Sequence, residues 1–349
     1  MKKSIIFSMI LLFFSFLISL SIAELVCRVV QLSNDSDPTY KLAHPVLPYV
    51  MKPNSESVSL WGHPIKINSH GLRDFEYAYD KAEGIFRILV LGDSQTFAYG
   101  SNMEDGYTKV LEKQLNAVAN KKYRTIEVIN SAHVSFNTLD EYNYLCLYGI
   151  KYAPDLLIMG VNSTDVAVET QKLVITDGVD STPGSLWLYF PSWVKKSLRK
   201  SHLYIAIGWF YNNGYFSFRG QSHELSLKEE IKKKLEASEE IKGKLEASND
   251  IFGKIFALAS KNQFSVCIVS IPDRQETMSK AYMFPEFSQQ LKSFERNGKA
   301  VFIDVMENYS PFSENTDEIY AIKDPAHPNT KGHQIIADRL YNNLVSKMQ

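Results

Sequence analysis

The chain has 349 residues, of which 45% are hydrophobic and 22% are charged, a composition typical of globular proteins. Lysine and arginine (38) nearly balance aspartate and glutamate (39), and no basic cluster alternates with aromatic residues. We therefore expect no nucleic acid partner. The three cysteines, Cys27, Cys146 and Cys267, lie far apart without a CxxC pair, which argues against a disulfide framework or a zinc site.

The N-terminal segment, residues 1–24, contains two lysines and then, from Ile5 to Ala23, nineteen residues without a charge. A membrane-spanning helix needs about 20 apolar residues, whereas the apolar part of a signal peptide usually has about 7–15. The length favours a membrane anchor, and the small residues before Glu24 leave cleavage as the alternative. In both cases the positive charges in front predict that the rest of the chain crosses the membrane.

The remainder divides into two regions. Residues 25–84 contain five prolines and polar patches, which predict a stalk or N-terminal extension. Residues 85–349 alternate apolar runs with helical periodicity, which predicts an α/β domain whose parallel sheet is covered on both faces. The predicted strands are 87–92, 125–130, 155–161, 264–271 and 301–305. The predicted helices are 105–120, 139–152 and a final helix from Thr330 to the C-terminus.

An insertion interrupts this pattern at about 167–252. Its first part, to about residue 225, is rich in aromatic residues, and three interpretations stay open: a lid over a cleft, a stacking surface for sugars, or an ordinary small core. Its second part repeats one ten-residue sequence, at 229–238 and again at 239–248. Two copies are too few for a solenoid, so we predict a lengthened and largely solvated helix without chemistry.

Two short motifs fall at predicted carboxyl ends of strands, where parallel sheets bind ligands. Ser94 ends the sequence Gly-Asp-Ser after the first strand, and we expect a helix N-terminus close behind it. Asp324 precedes His327 by three residues, just before the last helix. Each motif alone is weak, since a serine often caps a helix and a histidine is often structural. Together they supply a hydroxyl, a base and a carboxylate that orients the base.

Four segments then resemble blocks I, II, III and V of the SGNH/GDSL hydrolases, in that order and at compatible spacing. They are RILVLGDSQTFAYG, VINSAHVSFNT, PDLLIMGVNSTDV and DPAHPNTKGHQIIADRL. The resemblance covers about residues 67–345 without the insertion. The segment INSHGLRD and the N-terminal anchor are also similar to membrane-tethered bacterial members that occur with surface-polysaccharide systems. The resemblance implies a flavodoxin-like three-layer α/β/α fold with a mainly parallel sheet, and ester hydrolysis through an acyl-serine without cofactor or metal.

Carried over by position, the resemblance makes Ser94 the nucleophile, His327 the general base and Asp324 its orienting carboxylate. The backbone N–H of Ser94 would be one oxyanion donor. The second donor belongs to a position where the family has glycine and this chain has Ser135, whose N–H can serve if the backbone there does not require positive φ.

The third donor is an asparagine side chain in the family. Depending on the loop length, that position is Asn162 or Thr164, and an amide donor favours Asn162. Two neighbours receive structural interpretations: His133 as a packing or hydrogen-bonding residue, and Asp93 as a residue that holds the turn of block I.

The predicted function is a serine esterase that acts on an acyl-ester substrate, with an acetylated surface glycan as the candidate. We expect a single-pass protein of the bacterial inner membrane with its catalytic domain periplasmic or extracellular. Two alternatives remain. One is an O-acetyltransferase that uses the same triad. The other is a non-catalytic glycan-binding or assembly protein with a degraded oxyanion hole.

Overall fold

The N-terminal helix stands apart from the rest of the chain. The computed structural model describes residues 2–30, 40–59, 62–117, 123–166, 174–176, 179–181, 239–322 and 324–348. Helix α1 (Lys2–Val30) contains the apolar stretch Phe7–Val26, with a mean hydropathy of 2.4 and no part of it buried. The helix is long and apolar enough to cross a membrane, a property shared by anchors and signal sequences.

The strands of the described residues form one large sheet and three small antiparallel pairs. The pairs are β1 (Lys41–Leu42) with β2 (Val50–Met51), β3 (Glu56–Val58) with β4 (Pro64–Lys66), and β8 (Val174–Thr176) with β9 (Val179–Ser181). The large sheet contains β5 (Ile85–Gly92), β6 (Thr125–Asn130), β7 (Leu156–Val161), β10 (Ser265–Ser270) and β11 (Val301–Asp304). The five strands predicted from the apolar runs are all confirmed within two residues at each end.

The large sheet is parallel throughout and runs in the order β6-β5-β7-β10-β11. Numbered along the chain, this is 2-1-3-4-5, the flavodoxin-like order of doubly wound sheets. The order reverses between β5 and β7, and the crevice at such a switch point, outside the carboxyl ends of the strands, is where these folds bind ligands. The predicted fold class is confirmed, and the sheet itself indicates where to search for a site.

Helices cover both faces of the sheet. One face carries α2 (Tyr107–Ala117) and α8 (Thr330–Met348), and the other carries α3 (Thr138–Leu147), α4 (Glu239–Asn262) and α6 (Pro285–Arg296). Two short helices, α5 (Arg274–Ser279) and α7 (Met306–Tyr309), follow β10 and β11. Successive side chains of β5 enter opposite cores: Ile88 and Val90 pack with α2 and α8, while Leu89 and Leu91 pack with the other three helices.

Residues 40–59 and 62–84, assigned from sequence to a stalk or extension, pack directly against the domain. Their apolar side chains Tyr40, Tyr49, Met51, Ile65 and Leu72 are buried in the same core as Leu89 and Leu91 of β5. In this part of the chain the extension is therefore tightly packed on the domain. Its predicted beginning, residues 31–39, lies outside the described residues.

Arg73 ties this extension to the turn that follows β5. Its guanidinium is 1% exposed and donates hydrogen bonds to four backbone carbonyls. They belong to Phe97 at 2.9 Å, Ala98 at 2.7 Å, Pro64 at 2.8 Å and Ser101 at 3.0 Å. A planar guanidinium suits several acceptors at once. One buried side chain thus fixes the course of residues 97–101.

The aromatic part of the predicted insertion lies almost entirely outside the described residues, as does the first copy of the repeat. The second copy opens α4, and residues 242–247 are exposed or half-buried. From Ser248 onward one side of α4 is buried, with Ile251, Phe252 and Ile255 in the core. The crossover helix between β7 and β10 therefore begins inside the segment that the sequence pattern assigned to the insertion.

Candidate active site

A tight turn follows β5 at the switch point of the sheet. Residues 93–100 form consecutive bends and turns, closed by hydrogen bonds from the Phe97 N–H to the Asp93 carbonyl at 2.9 Å and from the Tyr99 N–H to the Ser94 carbonyl at 3.1 Å. The first α-helix after Ser94 is α2, which begins at Tyr107 and is the helix predicted over 105–120, so no helix N-terminus lies immediately behind the serine. The backbone behind Ser94 is this turn, which we call the nucleophile turn after the role that the family resemblance implies for Ser94.

Position 92 requires glycine because of close packing, and not because of an unusual backbone conformation. A Cβ atom on Gly92 or on Gly160, its neighbour in β7, would collide with the side chain of Thr96. The Thr96 hydroxyl lies between the two glycines and is 3.0 Å from the Tyr107 hydroxyl. The nucleophile turn can fold back onto the sheet only because both positions lack a side chain.

Asp93 holds the nucleophile turn, as predicted. Its Oδ1 accepts a hydrogen bond from the Gln95 N–H at 2.9 Å, and its Oδ2 accepts one from Asn162 Nδ2 at 2.7 Å. The first bond closes the turn around Ser94, and the second joins the turn to the loop after β7. Ser94 itself is half-buried, between the two anchored residues Asp93 and Gln95.

Asp324 and His327 form a hydrogen-bonded pair on one short loop. The Asp324 carboxylate is buried: its Oδ2 lies 2.8 Å from His327 Nδ1, and its Oδ1 accepts the backbone N–H groups of Ala326 at 2.7 Å and His327 at 2.8 Å. A neutral imidazole that donates from Nδ1 carries its lone pair on Nε2. The imidazole side chain is 17% exposed, but its Nε2 atom is itself buried.

The loop of this pair packs against the nucleophile turn. Gln95 Nε2 donates to the Ala326 carbonyl at 2.9 Å, and the rings of Tyr99 and His327 are 5.4 Å apart. A Cβ atom on Gly100 would lie 3.0 Å from His327 Cβ and 3.0 Å from the Pro328 carbonyl oxygen. The fold therefore brings the segments of Ser94 and His327 into direct contact, although 233 positions separate them (327 − 94).

The loop after β7 orients Asn162. The Asn162 Oδ1 accepts hydrogen bonds from the N–H and the hydroxyl of Thr164, at 2.8 and 2.6 Å, while its Nδ2 faces Asp93. The Asn162 backbone N–H donates to Asp165 Oδ2 at 2.8 Å. Thr164 is exposed and uses its hydroxyl proton on Asn162. Of the two candidates, only Asn162 directs a donor toward the nucleophile turn in this arrangement.

Ser135 adopts the left-handed backbone conformation with φ of 66°. Its segment runs beside β5, because the Ser131 and His133 N–H groups donate to the Val90 and Gly92 carbonyls at 2.8 and 3.0 Å. The expectation that a non-glycine residue serves here only without positive φ is not met, because Ser135 itself adopts the positive φ. This chain keeps a conformation that glycine adopts freely, at a cost of roughly 1 kcal/mol for serine.

His133 is a packing residue, in agreement with its structural interpretation. It is 1% exposed, its ring stacks on Phe136 at 4.5 Å between centroids, and it contacts Tyr144 at 4.6 Å. Its Nδ1 is 3.0 Å from the Ser131 carbonyl. Burial lowers the pKa of His133 to about 4, so the ring is neutral under ordinary conditions.

Buried carboxyl groups lie beneath the loops after β5 and β7. Burial raises the pKa of Asp93, and it raises the pKa of Glu141 and Asp165 well above their ordinary values, with the neighbouring carboxylates adding to the effect. Glu141 and Asp165 are each 1% exposed. Sequence reasoning missed Glu141 and Asp165, because nothing in the local pattern marks a carboxyl group as buried.

Comparisons with known proteins give structural likenesses at low identity. No protein-family model and no curated protein matches the chain. Among solved structures, the chain is similar to a lipolytic protein of the G-D-S-L family from Desulfitobacterium hafniense, at 14% identity and a TM-score of 0.40, over 73% of this chain and 98% of that one.

Two other solved structures are acetylxylan esterases. One is Axe2 from Geobacillus stearothermophilus, with 13% identity and a TM-score of 0.44 over 74% of this chain and 94% of that one. The other is AlAXEase, with 12% identity and a TM-score of 0.45 over 74% of this chain and all of that one.

The close approach at Gly100 predicts a steric cost for a single added methyl group. Gly100→Ala would press on His327 and Pro328, and we expect it to lower the free energy of unfolding by about 1–3 kcal/mol. Urea denaturation measures this. The matched control is Gly243→Ala in α4, where a Cβ meets nothing within 4 Å and alanine should stabilise the helix by about 1 kcal/mol. Equal effects at the two glycines would contradict the packing described here.

The buried carboxyl of Glu141 predicts a pH-dependent stability difference. At pH values above 4.5, the ordinary pKa of glutamate, the Glu141 carboxyl group keeps its proton in the folded state and loses it in the unfolded state. Rising pH therefore destabilises the wild type, by up to about 1.4 kcal/mol per pH unit. Glu141→Gln has no such proton, so its stability relative to wild type should increase from pH 5 to pH 8. Thermal denaturation at several pH values tests this, and a constant difference would exclude a raised pKa.

Proposed function

We propose that this chain is a serine carboxyl-ester hydrolase of the SGNH/GDSL type, in which Ser94 carries the acyl group. The observation that supports this most strongly is the 2.8 Å hydrogen bond from His327 Nδ1 to buried Asp324, on a loop packed against the nucleophile turn. Ester hydrolysis by serine requires a hydroxyl, a base of fixed tautomer and a carboxylate behind the base. The sequence blocks that carry these residues resemble those of the same family.

In the acylation step, the Ser94 hydroxyl oxygen attacks the ester carbonyl carbon and its proton passes to His327 Nε2. The Asp324 carboxylate stabilises the imidazolium that forms and keeps Nδ1 as the donor. The tetrahedral intermediate then breaks the bond to the alcohol, which takes the proton from His327. Water repeats the sequence on the acyl-serine: it loses a proton to His327, releases the carboxylic acid and restores the serine.

Three donors would hold the oxyanion: the backbone N–H groups of Ser94 and Ser135, and the side-chain amide of Asn162. We choose Asn162 over Thr164 because the Thr164 hydroxyl donates to Asn162 and fixes the orientation of its amide. An amide nitrogen has two hydrogens. One points to Asp93, and the second is the proposed oxyanion donor. Loss of such a donor costs roughly 10²–10³ in rate in a comparable oxyanion hole.

Ser135 adopts the left-handed backbone that a glycine would adopt freely, so its N–H would keep its place in the proposed oxyanion hole although the side chain differs. Transfer of the acyl group to a sugar hydroxyl instead of water uses the same acyl-serine. Product analysis with an oligosaccharide acceptor in water separates the two outcomes.

We place the catalytic domain outside the cytoplasm of a bacterium. Helix α1 would anchor the chain in the inner membrane, with its lysines on the cytoplasmic side. Acetyl groups of a surface polysaccharide are the proposed substrate, on the strength of the resemblance to membrane-tethered members of the family. Turnover of acetylated oligosaccharides, compared with longer acyl esters, would test the substrate class.

Substitution of the triad tests the proposed reaction. The full chain in detergent should react with a fluorophosphonate probe and hydrolyse aryl acetates, and Ser94→Ala and His327→Ala should each reduce turnover by about 10⁶-fold. Asp324→Asn should lose about 10⁴-fold because the asparagine amide stabilises the wrong imidazole tautomer. Met278→Ala, at an exposed position of α5, serves as the control and should leave turnover unchanged. Probe labelling that persists in Ser94→Ala would exclude Ser94 as the nucleophile.

Substitutions of Ser135 test the backbone requirement at the proposed second donor. Ser135→Gly should raise the free energy of unfolding by up to about 1 kcal/mol and leave kcat close to wild type. Ser135→Val should lower kcat by about 10²-fold, since a β-branched residue disfavours positive φ and would turn the N–H away. Thermal denaturation and aryl acetate kinetics measure both. Equal kcat for the glycine and valine variants would show that the Ser135 N–H is not an oxyanion donor.

A further inference from the structure

The short helix α5 lies between the two loops that complete the candidate site. It follows β10 directly, and its first turn is closed by a capping box. Asp273 Oδ1 accepts the Glu276 N–H at 2.8 Å, and Glu276 Oε2 accepts the Asp273 N–H at 2.9 Å. The side chains of Arg274 and Glu276 leave this fixed turn in two directions and reach different loops.

Arg274 contacts the loop that carries the Asp324–His327 pair. Its Nε donates to the Asp324 carbonyl at 2.5 Å and its Nη2 to the Ala321 carbonyl at 2.7 Å, while its backbone N–H donates to the Pro325 carbonyl at 3.0 Å. A third side-chain nitrogen, Nη1, bonds to Asp317 at 2.6 Å. One residue of α5 therefore holds three carbonyl groups on both sides of the proposed orienting carboxylate.

Glu276 contacts the loop that carries Asn162. Its Oε1 accepts hydrogen bonds from the Ser163 hydroxyl and from the Met283 N–H, the latter at 2.8 Å. Glu276 is 2% exposed and Ser163 is 6% exposed, so water does not compete for this bond. Ser163 stands between Asn162 and Thr164, and its side chain holds that loop through a bond separate from the one between Asn162 and Asp93.

We propose that Arg274 and Glu276 are positioning residues of the active site, Arg274 acting through the Asp324–His327 pair and Glu276 through Ser163 on the oxyanion donor Asn162. This inference rests on the proposed esterase function. Neither side chain needs to touch substrate. Rate depends steeply on the placement of catalytic groups, and a displacement of about 1 Å can cost about 10²-fold. Helix α5 would set the distance between the base and the oxyanion donor, because both loops are bonded to the same turn.

Double-mutant cycles on aryl acetate hydrolysis test the two connections separately. Arg274→Met should lower kcat by about 10²-fold in the wild-type background and change it little in Asp324→Asn, because the first variant acts through the second residue. Ser163→Ala should lower kcat by about 10-fold or more in the wild type and change it little in Asn162→Ala. KM should change little in each case. Each rate is divided by the fraction of folded protein, which thermal denaturation measures.

The crossed pairs and a neutral position on the same helix are the controls. Arg274→Met with Asn162→Ala, and Ser163→Ala with Asp324→Asn, should show independent effects that multiply. Met278→Ala, at an exposed position of α5, should leave kcat unchanged. If Arg274→Met fails to fold, Arg274→Lys replaces it, since lysine keeps the charge but not the fork of donors.

Independent effects in all four cycles, or unchanged kcat in Arg274→Met or Ser163→Ala, would overturn the positioning roles. Failure of the proposed function gives a different result, because the wild type would then neither react with the fluorophosphonate probe nor hydrolyse the ester.

Discussion

The buried carboxylate of Asp324 constrains the whole site. An ionised carboxyl group without partners is very costly to bury, and Asp324 meets that demand with two backbone N–H groups and the Nδ1 of His327. These three bonds determine the shape of the loop before α8, and with it the direction of the imidazole. Gln95 and Arg274 then hold the loop from outside, through carbonyl groups that the carboxylate cannot engage.

Residues of the N-terminal extension hold the nucleophile turn in place. Arg73 bonds to the carbonyls of Phe97, Ala98 and Ser101, and its neighbour Asp74 accepts the Asn130 N–H at 2.6 Å at the end of β6. Asn130 in turn donates to the Thr96 carbonyl at 2.9 Å. The segment INSHGLRD thereby joins the ends of β5 and β6. We infer that its two charged residues serve the geometry of the site, although they precede the sheet in sequence.

The sequence predicted the sheet well because its strands are buried on both faces. Continuous apolar runs, such as those of β5 and β7, leave few alternatives to a central parallel strand. The helices near the site were harder. Helix α5 has six residues, too few to show a periodicity, and was not predicted. Helix α6 does have Phe287, Leu291 and Phe294 at helical spacing, and this signal was missed. The beginning of α4 was not recognised as part of the domain because it lies in a charged repeat. That repeat gives no sign that Ile251 and Phe252, which follow it, are buried.

The residues of the proposed triad were predicted from motif spacing, and their supports were not. Gly100 looks like any turn glycine in the sequence, yet it is required where His327 approaches. The family's glycine at the position of Ser135 raised the question of positive φ, which only the structure answers. The close approach at Gly100 depends on a distance between segments more than 200 positions apart, and one sequence contains no record of such distances. Asp93, next to Ser94, is the exception, since its role in holding the turn was predicted.

The carboxyl groups buried beneath the site affect the stability of any oxyanion formed there. Asp93 lies 2.7 Å from the amide of Asn162, and Asp165 bonds to the Asn162 N–H, so a developing negative charge at this amide would face two carboxyl groups. Repulsion of this kind is strong where water is excluded. The raised pKa values of Asp93, Asp165 and Glu141 oppose it, because carboxyl groups that keep their protons to higher pH add less negative charge. Because burial keeps these acids protonated to higher pH, a negative charge on the oxyanion meets less repulsion from them.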